Sequence, residues 1–363
     1  MHCRALLALA FLFLSGFQQP KDSFRLKAEE LTSTVQDRFW IPKKRQYTGY
    51  LTEAGSKSKD PAFAWDMAVQ LSALAAACRI DPKTYRPLYD QAFDSLRTYG
   101  CDYEGVFGYQ VWPYGGGTPD RYYDDDEWIV LAQLDAYDAL HDRKYLDEAK
   151  KTFQFVLSGS SADLDGGIFW HEQDRKSKNT CSNAPAMAAA ARLYLATKSP
   201  GYLATAKSIH DWVQRLKDKD DLMFDGMNLD GSIGKTKWTY NTALMIRGDL
   251  ALYKATRDKS YLKEAVAMGS AALAHWVDPA TGAIHDEGPF AHHLDEAFFD
   301  LAKVDRSKDW AAIAKRAIQA ALQLGGKNGL YGLRWDRYET REDKLILLYQ
   351  ASMERALWLA AAN

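Results

Sequence analysis

Four acidic residues follow one another directly within the segment Tyr122-Tyr123-Asp124-Asp125-Asp126-Glu127-Trp128. Carboxylates crowded together raise one another's proton affinity, so one acid can stay protonated beside an ionised neighbour near neutral pH. A pair in those two states can cleave a glycosidic bond, with retention at a carboxyl separation of about 5 Å and inversion at about 6.5–9.5 Å. The simpler alternative is a helix N-terminus that carries more acidic residues than capping requires.

The acidic run stands at the predicted start of a helix. Apolar residues with helical spacing follow it, namely Trp128, Ile129, Leu131, Ala132, Leu134, Ala136, Tyr137 and Leu140. Free backbone N–H groups and the positive end of the helix dipole stabilise anions in a first turn, so one acid would stay ionised there. Because adjacent helical residues point about 100° apart, neighbouring carboxyl groups can come near the shorter separation.

An internal repeat indicates the fold around this helix. A short charged turn recurs after a predicted helix, and an aromatic residue opens the next helix each time, at Tyr85, Tyr145, Tyr202, Tyr261 and Trp310. The spacing of these aromatic residues runs from 49 (310 − 261) to 60 (145 − 85) residues. Periods of this size with two helices per unit are typical of stacked helical hairpins.

Twelve helices are predicted along the chain. They lie near residues 24–40, 62–78, 84–98, 126–141, 144–157, 183–197, 201–216, 240–256, 260–275, 291–303, 309–323 and 342–360. The pattern predicts an all-α protein, an (α/α)6 toroid in which six outer helices surround six inner ones. An open solenoid is the alternative, and closure is favoured because neither end carries an obviously polar capping repeat.

The predicted connections alternate between short and long. Those that lead from an outer to an inner helix are long, at 41–61, 99–125, 158–182, 217–239, 276–290 and 324–341. All of them therefore emerge at one end of the ring, above the N-termini of the inner helices. They carry glycines, aromatic rings and polar side chains, including Trp112, Tyr114, Gly115-Gly116-Gly117, Asp165-Gly166-Gly167, Trp170, Asp225-Gly226, Asn228, Trp238, Tyr331 and Trp335. Carboxylates and aromatic residues converging on one concave face predict a binding site.

The composition is that of a globular protein with an unusual aromatic content. The 363 residues carry a formal net charge of −2, which offers no electrostatic case for nucleic acid or for an anionic membrane surface. Eleven Trp and 20 Tyr are present, many of them among Gly, Asp and Asn outside the helical patterns. Flat rings beside hydrogen-bonding groups suit the faces of sugars, although exposed rings also mark protein interfaces.

The N-terminus has the features of a secretory signal. Arg4 precedes an apolar run from Ala5 to Leu14, which is too short to span a bilayer, and Ser15-Gly16 offers small residues for cleavage. We expect a signal peptide at 1–19, a single domain at 20–363, and a secreted or periplasmic protein.

Three cysteines remain in the mature chain. Cys78 is expected in the core, whereas Cys101 and Cys181 are predicted in long loops and are the pair that any disulfide would join. The sequence alone does not establish that bridge.

The motifs resemble those of glycoside hydrolase family 76, the bacterial endo-α-1,6-mannanases and their fungal wall-remodelling relatives. The run Tyr123-Asp124-Asp125-Asp126-Glu127-Trp128 looks like the family's Asp-Asp motif. The resemblance continues in order over nearly all of the mature chain, through Gly166-Gly167-Ile168-Phe169-Trp170, Asn179 to Asn183, Asp225-Gly226 and Lys237-Trp238-Thr239-Tyr240-Asn241. It implies an (α/α)6 fold and retaining hydrolysis of α-1,6-mannosidic linkages in α-mannan.

The two catalytic roles follow from that resemblance. Asp124 corresponds to the nucleophile and Asp125 to the acid/base. The expected substrate-binding residues are Asp66, Tyr123, Trp170, Asn183, Asp225, Asn228, Trp238, Tyr240 and Asn241. Trp170 and Trp238 could stack on sugar rings or merely pack within their loops, and Asn183 could instead cap a helix. Asp126-Glu127, Thr242-Ala243 and the segment from Glu287 to Asp295 depart from the family pattern, which bears on subsite preference more than on reaction type.

No metal or other cofactor is expected, because His285, Asp286, His292 and His293 do not form a recognisable ligand pattern. We expect a monomer that acts on an α-mannan polysaccharide or oligosaccharide. Another (α/α)6 sugar enzyme, such as a polysaccharide lyase, an unsaturated uronyl hydrolase or an epimerase, is the enzymatic alternative. A secreted glycan-binding protein without catalysis is the other alternative, and it would not need two adjacent carboxylates.

Overall fold

The computed structural model describes residues 23–363, which form twelve α-helices and short strands. The helices, numbered in chain order, are α1 Ser23–Phe39, α2 Ala64–Ile80, α3 Pro82–Leu96, α4 Tyr123–Leu140, α5 Arg143–Ser158, α6 Thr180–Thr197, α7 Pro200–Val213, α8 Thr239–Thr256, α9 Lys259–Trp276, α10 Gly288–Ala302, α11 Trp310–Leu324 and α12 Leu347–Ala362. Each overlaps one of the twelve predicted helices, so the helix count and order are confirmed.

The even-numbered helices form a closed inner ring. Around that ring α2 contacts α4, α4 contacts α6, α6 contacts α8, α8 contacts α10, α10 contacts α12, and α12 returns to contact α2. The inner helices are apolar on nearly every side and rich in alanine, which lets their backbones approach closely and buries them all round. The fold is the predicted (α/α)6 toroid, and the open solenoid is excluded.

The odd-numbered helices lie outside, each against an inner partner, with α1 packed on α12. The recurring short turns have a physical explanation in their capping. The inner helices α4, α6 and α8 end at left-handed residues, His141, Lys198 and Arg257. An aspartate side chain then accepts a backbone N–H at the start of most outer helices, as Asp142 does for α5 and Asp258 for α9. The turn therefore reverses the chain within very few residues.

Short strands lie in the long connections. They are β1 Trp40–Ile41, β2 Gln46–Tyr47, β3 Tyr50–Thr52, β4 Gly100–Tyr103, β5 Val106–Tyr109, β6 Ser177–Asn179, β7 Gly226–Asn228, β8 Ile233–Gly234, β9 Gly326–Lys327, β10 Leu330–Tyr331 and β11 Lys344–Ile346. All the pairings are antiparallel. Two of them join different connections, since β3 pairs with β11 and β6 pairs with β7.

The six long connections are linked to one another in a circle, and we call the end of the ring that they cover the site face. The two sheets β3–β11 and β6–β7 supply two of the six links. The other four include the following contacts: Ala64 N donates to Val111 O, Tyr122 bridges His171, Thr239 N donates to Asp286 Oδ2, and Glu287 bridges Arg334. Each connection is thereby held by both of its neighbours.

The structure corrects the expected position of Cys181. Cys181 lies in the first turn of α6 rather than in a loop, and Cys101 lies in β4. Both are buried free thiols, so the bridge considered for them is not formed, while Cys78 lies in the core as expected. The predicted signal peptide at 1–19 lies outside the described residues. Within residues 23–363, no helix is both long and apolar enough to cross a membrane.

Candidate active site

The acidic run begins α4 at the site face. Tyr122 is the N-cap residue and makes no side-chain cap, so Asp124, Asp125 and Asp126 all lie inside the first turn. Asp124 and Asp125 are partly exposed, whereas Asp126 is fully buried. The helix therefore presents two adjacent, partly exposed carboxyl groups at the site face.

Asp124 is held by hydrogen-bond donors. Its Oδ2 accepts the indole N–H of Trp170 at 2.9 Å, and its Oδ1 accepts the backbone N–H of Asp125 at 3.1 Å. Burial raises the pKa of Asp124 to about 6, while the hydrogen bonds from Trp170 and Cys181 act in the opposite direction.

Asp125 favours its protonated form, whereas Asp124 favours its ionised form near neutral pH. Burial raises the pKa of Asp125 well above the usual range, and the negative charge of Asp124 raises it further. Of the pair, Asp124 is the acid that ionises first, and Asp125 is the one that keeps its proton near neutral pH. One ionised carboxylate and one protonated carboxyl group thus stand side by side on the first turn of α4.

The next two acids serve the structure behind the pair. Asp126 Oδ1 accepts the backbone N–H of Tyr109 at 2.9 Å, which attaches the β4–β5 hairpin to α4. Glu127 is fully buried, and burial raises the pKa of both side chains well above the usual range. Their neutral forms avoid two further negative charges beneath the pair.

Aromatic side chains from opposite sides of the toroid meet at the site face. Phe290 of α10 stacks on Tyr240 at 4.5 Å between centroids and on Trp65 at 5.9 Å, and it also contacts Trp238 at 5.2 Å. Tyr240 lies 6.3 Å from Trp128. The predicted residues Trp238 and Tyr240 thus belong to one aromatic surface, and Phe290 links them to α2.

Polar groups flank this surface on two sides. Asn241 Nδ2 lies 3.4 Å from Asp225 Oδ1, and the buried Asn241 Oδ1 accepts no hydrogen bond within the described chain. Asp66 lies in the first turn of α2, and its Oδ2 accepts the Phe63 N–H at 3.3 Å. Burial raises the pKa of Asp66 to about 7. Of these three predicted residues, Asp225 is partly exposed, whereas Asp66 and Asn241 are buried.

The structure places the side chains of Tyr123 and Asn183 in the interior, away from the site face. The Tyr123 ring is fully buried and stacks on Phe155 at 4.8 Å, because its position on α4 faces α5 rather than the cleft. The Asn183 amide is buried and fully used, since it exchanges two hydrogen bonds with the backbone of Ile168 and donates a third to Asn179 O. Both residues position the loop that carries Trp170.

Asn228 lies at the exposed tip of the β7–β8 hairpin, where it closes the turn with Ser232. A role in binding would depend on substrate that extends to this tip. The rings of His292 and His293 contact each other, with 3.8 Å between their centroids. His292 and His293 are buried in α10, while His285 is exposed and pairs with Asp336.

The sequence analysis did not identify three residues that support the site, namely Arg121, Glu172 and Lys178. The fully buried Arg121 forms a bidentate pair with Glu172 and donates to Val106 O, which joins two site-face loops. The buried Lys178 donates to Ser161 and to two further carbonyl oxygens of the loop before Trp170. No local pattern marks such residues, because their partners lie elsewhere in the chain or in an irregular loop.

A second concavity, of about 470 Å³, lies at the opposite end of the ring. Ion pairs fill its polar side, with Asp135 contacting Arg79 and Arg192 and with Glu296 contacting Arg247. In these pairs each carboxylate is matched by at least one guanidinium, in contrast to the uncompensated acids of the site face.

The family comparison covers nearly the whole chain. A model of glycosyl hydrolase family 76 matches residues 26–360. A mannan endo-1,6-alpha-mannosidase of Saccharomyces cerevisiae is 34% identical over 174 residues, which make up 43% of this chain and 33% of that protein. A putative mannan endo-1,6-alpha-mannosidase of Schizosaccharomyces pombe is 32% identical over 128 residues, 32% of this chain and 29% of that protein. The matched segments thus span a third or less of these curated relatives.

Solved structures resemble the whole toroid. A family 76 α-mannanase of Bacteroides thetaiotaomicron is 28% identical with a TM-score of 0.88, over 94% of this chain and 96% of that chain. An inactive variant of the α-1,6-mannanase of Salegentibacter sp., with two consecutive aspartates replaced by asparagine and α-1,6-mannotriose bound, has the same fold. It is 21% identical with a TM-score of 0.80, over 93% of this chain and 99% of that chain.

Proposed function

This chain belongs to glycosyl hydrolase family 76, and we propose that it cleaves α-1,6-mannosidic linkages within α-mannan with retention of anomeric configuration. The observation that carries this proposal is the adjacent pair Asp124 and Asp125, one ionised and one protonated, at the mouth of an aromatic cleft. The α-1,6-mannanases and mannan endo-1,6-alpha-mannosidases among the similar proteins support the linkage and the endo action.

In the first step the carboxylate of Asp124 attacks the anomeric carbon. The Trp170 indole N–H holds Oδ2, which fixes the orientation of the carboxylate. Asp125 gives its proton to the departing glycosidic oxygen, so the leaving sugar departs as a neutral alcohol. The products of this step are a covalent mannosyl ester on Asp124 and an ionised Asp125.

In the second step the roles of the acids reverse. The Asp125 carboxylate takes a proton from water, the water oxygen attacks the anomeric carbon, and the ester bond to Asp124 breaks. Two inversions at one carbon give net retention. The inactivity of the Salegentibacter variant that lacks two consecutive aspartates is consistent with both acids being required.

The basic residues near the pair weigh against a lyase or uronyl hydrolase. Such enzymes need cations that face a substrate carboxylate, but Arg121 is paired with Glu172 and Lys178 is surrounded by loop oxygens. A glycan-binding protein without catalysis would not need the two protonation states of Asp124 and Asp125. Residues 20–363 would form the catalytic domain of a monomeric enzyme, exported after loss of its signal peptide.

Proton NMR of the reaction tests the proposal directly. The purified protein is incubated with linear α-1,6-mannan, and the anomeric configuration of the newly formed reducing ends is followed before mutarotation. We expect α-configured ends and internal cleavage into oligosaccharides, with branched α-mannan as the comparison. Initial release of β-configured ends would refute retention, and binding without cleavage would favour the glycan-binding alternative.

A further inference from the structure

Two aromatic rings are exposed together at the site face. Phe63 is 46% exposed and Trp112 is 36% exposed, and their ring centroids lie 3.9 Å apart with planes inclined by 33°. Among the described residues, the exposed large apolar side chains are Leu26, Phe63, Trp112, Trp170, Leu229 and Leu324. All three aromatic members of that set lie at the site face, and two of them touch each other.

The backbone around this ring pair is well anchored. Ala64 N donates to Val111 O at 3.0 Å, which brings the residue before Trp112 to the residue after Phe63. On either side, Tyr99 Oη donates to Ala62 O at 2.7 Å and Val111 N donates to Asp120 O at 3.0 Å. The rings therefore stay exposed because anchored backbone presents them outward, and the pair forms a preformed apolar surface.

The ring pair is continuous with the acidic cleft. Phe63 is the N-cap residue of α2, its N–H donates to Asp66, and α2 packs against α4, whose first turn carries the acid pair. On the other side of α4, Trp170 donates to Asp124. The acid pair thus lies between two exposed aromatic groups, one on α2 and its neighbouring loop and the other on the loop before α6.

We propose that Phe63 and Trp112 form an outlying subsite that holds a mannosyl unit of the polymer away from the bond being cleaved. The proposal rests on the function proposed above. The C–H groups of a pyranose face can pack on exposed aromatic planes, and such contact needs no specific hydrogen bond. This subsite would favour long chains over short ones, because only a chain can reach from the acid pair to the rings.

Variants that remove the rings test the subsite. Phe63→Ala, Trp112→Ala and the double variant are compared with wild type on linear α-1,6-mannan and on an aryl α-mannoside, which is too short to span both places. We expect kcat/KM on mannan to fall roughly tenfold in the double variant, the factor that about 1.4 kcal/mol of lost binding gives. On the aryl mannoside the change should stay below about twofold, since 0.4 kcal/mol corresponds to that ratio.

Leu26→Ala is the matched control, since Leu26 is also 46% exposed but lies on the outer helix α1, which packs against α12. An equal loss on both substrates would refute the subsite and indicate support of the cleft, and no loss on mannan would refute it as well. Retardation in mannan-containing gels, measured in an Asp124→Asn background, keeps the test independent of catalysis. If wild type cleaves neither substrate, the proposed function is refuted. The subsite is then tested by the gels alone: Trp112→Ala should reduce retardation by mannan, and unchanged retardation would refute the subsite.

Discussion

At the scale of single residues, the proposed chemistry depends on two neighbouring carboxyl groups that differ in proton affinity. Asp124 accepts hydrogen bonds that favour its ionised form, whereas Asp125 is buried beside the negative charge of Asp124. Because the pKa of Asp124 is about 6, activity should fall as the pH drops below about 6 and the nucleophile becomes protonated.

Replacement of the proposed proton donor should depend on the leaving group. Asp125→Asn should lower turnover of mannan by about 10²-fold or more, because the departing alcohol then lacks its proton. With an activated aryl leaving group, formation of the intermediate should be largely restored. Asp124→Asn should be equally impaired on both substrates, because it lacks the nucleophile. Steady-state rates on mannan and on a dinitrophenyl mannoside distinguish the two, and restored activity in Asp124→Asn would exchange the assigned roles.

Asp126 offers a contrast within the same turn. Asp126→Asn should keep most of the activity, since an amide oxygen can still accept the Tyr109 N–H and the carboxyl group is neutral already. Asp126→Ala should lower the free energy of unfolding by about 1–3 kcal/mol, because a buried backbone donor loses its partner. Denaturant unfolding measures the second effect. An inactive, folded Asp126→Asn protein would show that the catalytic pair is shifted by one residue.

At the scale of elements, the loop between α5 and α6 positions the proposed nucleophile, Asp124, from outside its helix. Gly166 and Gly167 adopt positive φ angles of 121° and 80°, and Trp212 packs where a side chain on Gly167 would lie. Lys178 of β6 donates to Ser161, Asp163 and Gly166 from inside the loop, at distances from 2.6 to 3.2 Å. A central ammonium group therefore organises a segment with little regular structure.

Removal of the Lys178 ammonium group should change the pKa of Asp124. Lys178→Met should release the loop, weaken the Trp170–Asp124 hydrogen bond and raise the pKa of Asp124. In the pH profile of kcat/KM, the acid limb should move to higher pH by on the order of one unit. A hydrogen bond to a charged group contributes about 1.5–3 kcal/mol, and one pKa unit corresponds to about 1.36 kcal/mol. Trp170→Phe should produce the same shift, and the double variant should add nothing further.

The exposed Lys176, which pairs with Asp174 in the same loop, provides the matched control. Lys176→Met should leave the acid limb in place. Additive shifts in the double variant would mean that Lys178 acts on the site by a route other than Trp170.

At the scale of the whole molecule, closure depends on links between distant parts of the chain. The inner ring closes where α12 meets α2, and the circle of loops closes where β3 pairs with β11. Glu354 of α12 lies at this seam and accepts hydrogen bonds from Thr32 and Gln70. Buried acids of this kind make the stability of the toroid depend on pH.

The thermal midpoint should fall as the pH rises from about 5 to about 8. Burial raises the pKa of Glu354 to about 7 and that of Asp66 to about 7, so the folded state holds protons that the unfolded state releases. Their stabilisation is complete below the unfolded pKa and is lost as the pH passes the folded one. His292 and His293, whose pKa values are lowered, act in the opposite direction below pH 6.5 but are outnumbered by the buried acids.

Thermal melts across this pH range measure how steeply the thermal midpoint falls with pH. Glu354→Gln should make it shallower, because the amide cannot ionise at the seam, whereas Glu30→Gln on the exposed face of α1 should leave it unchanged. A midpoint that rises steadily from pH 5 to pH 8 would contradict the assignment.

The sequence by itself determined the helices, their order and the end of the ring where the site lies. Those features are periodic or local, since the alanine-rich inner helices, the aspartate caps and aromatic residues such as Tyr145 are all visible within short windows. The acidic run was equally visible, because four consecutive acids are conspicuous without any knowledge of the fold.

Only the tertiary structure decided which side chains face the cleft and which support it. Tyr123 adjoins Asp124 in the sequence but packs against α5, and the Asn183 amide is used by Ile168, whereas Phe63 meets Trp112 across 49 residues (112 − 63). Neighbours on a helix point in different directions, and the partner of a buried polar group is fixed by the packing of distant segments. Residue types therefore indicated the chemistry, and the closed ring selected the residues that can perform it.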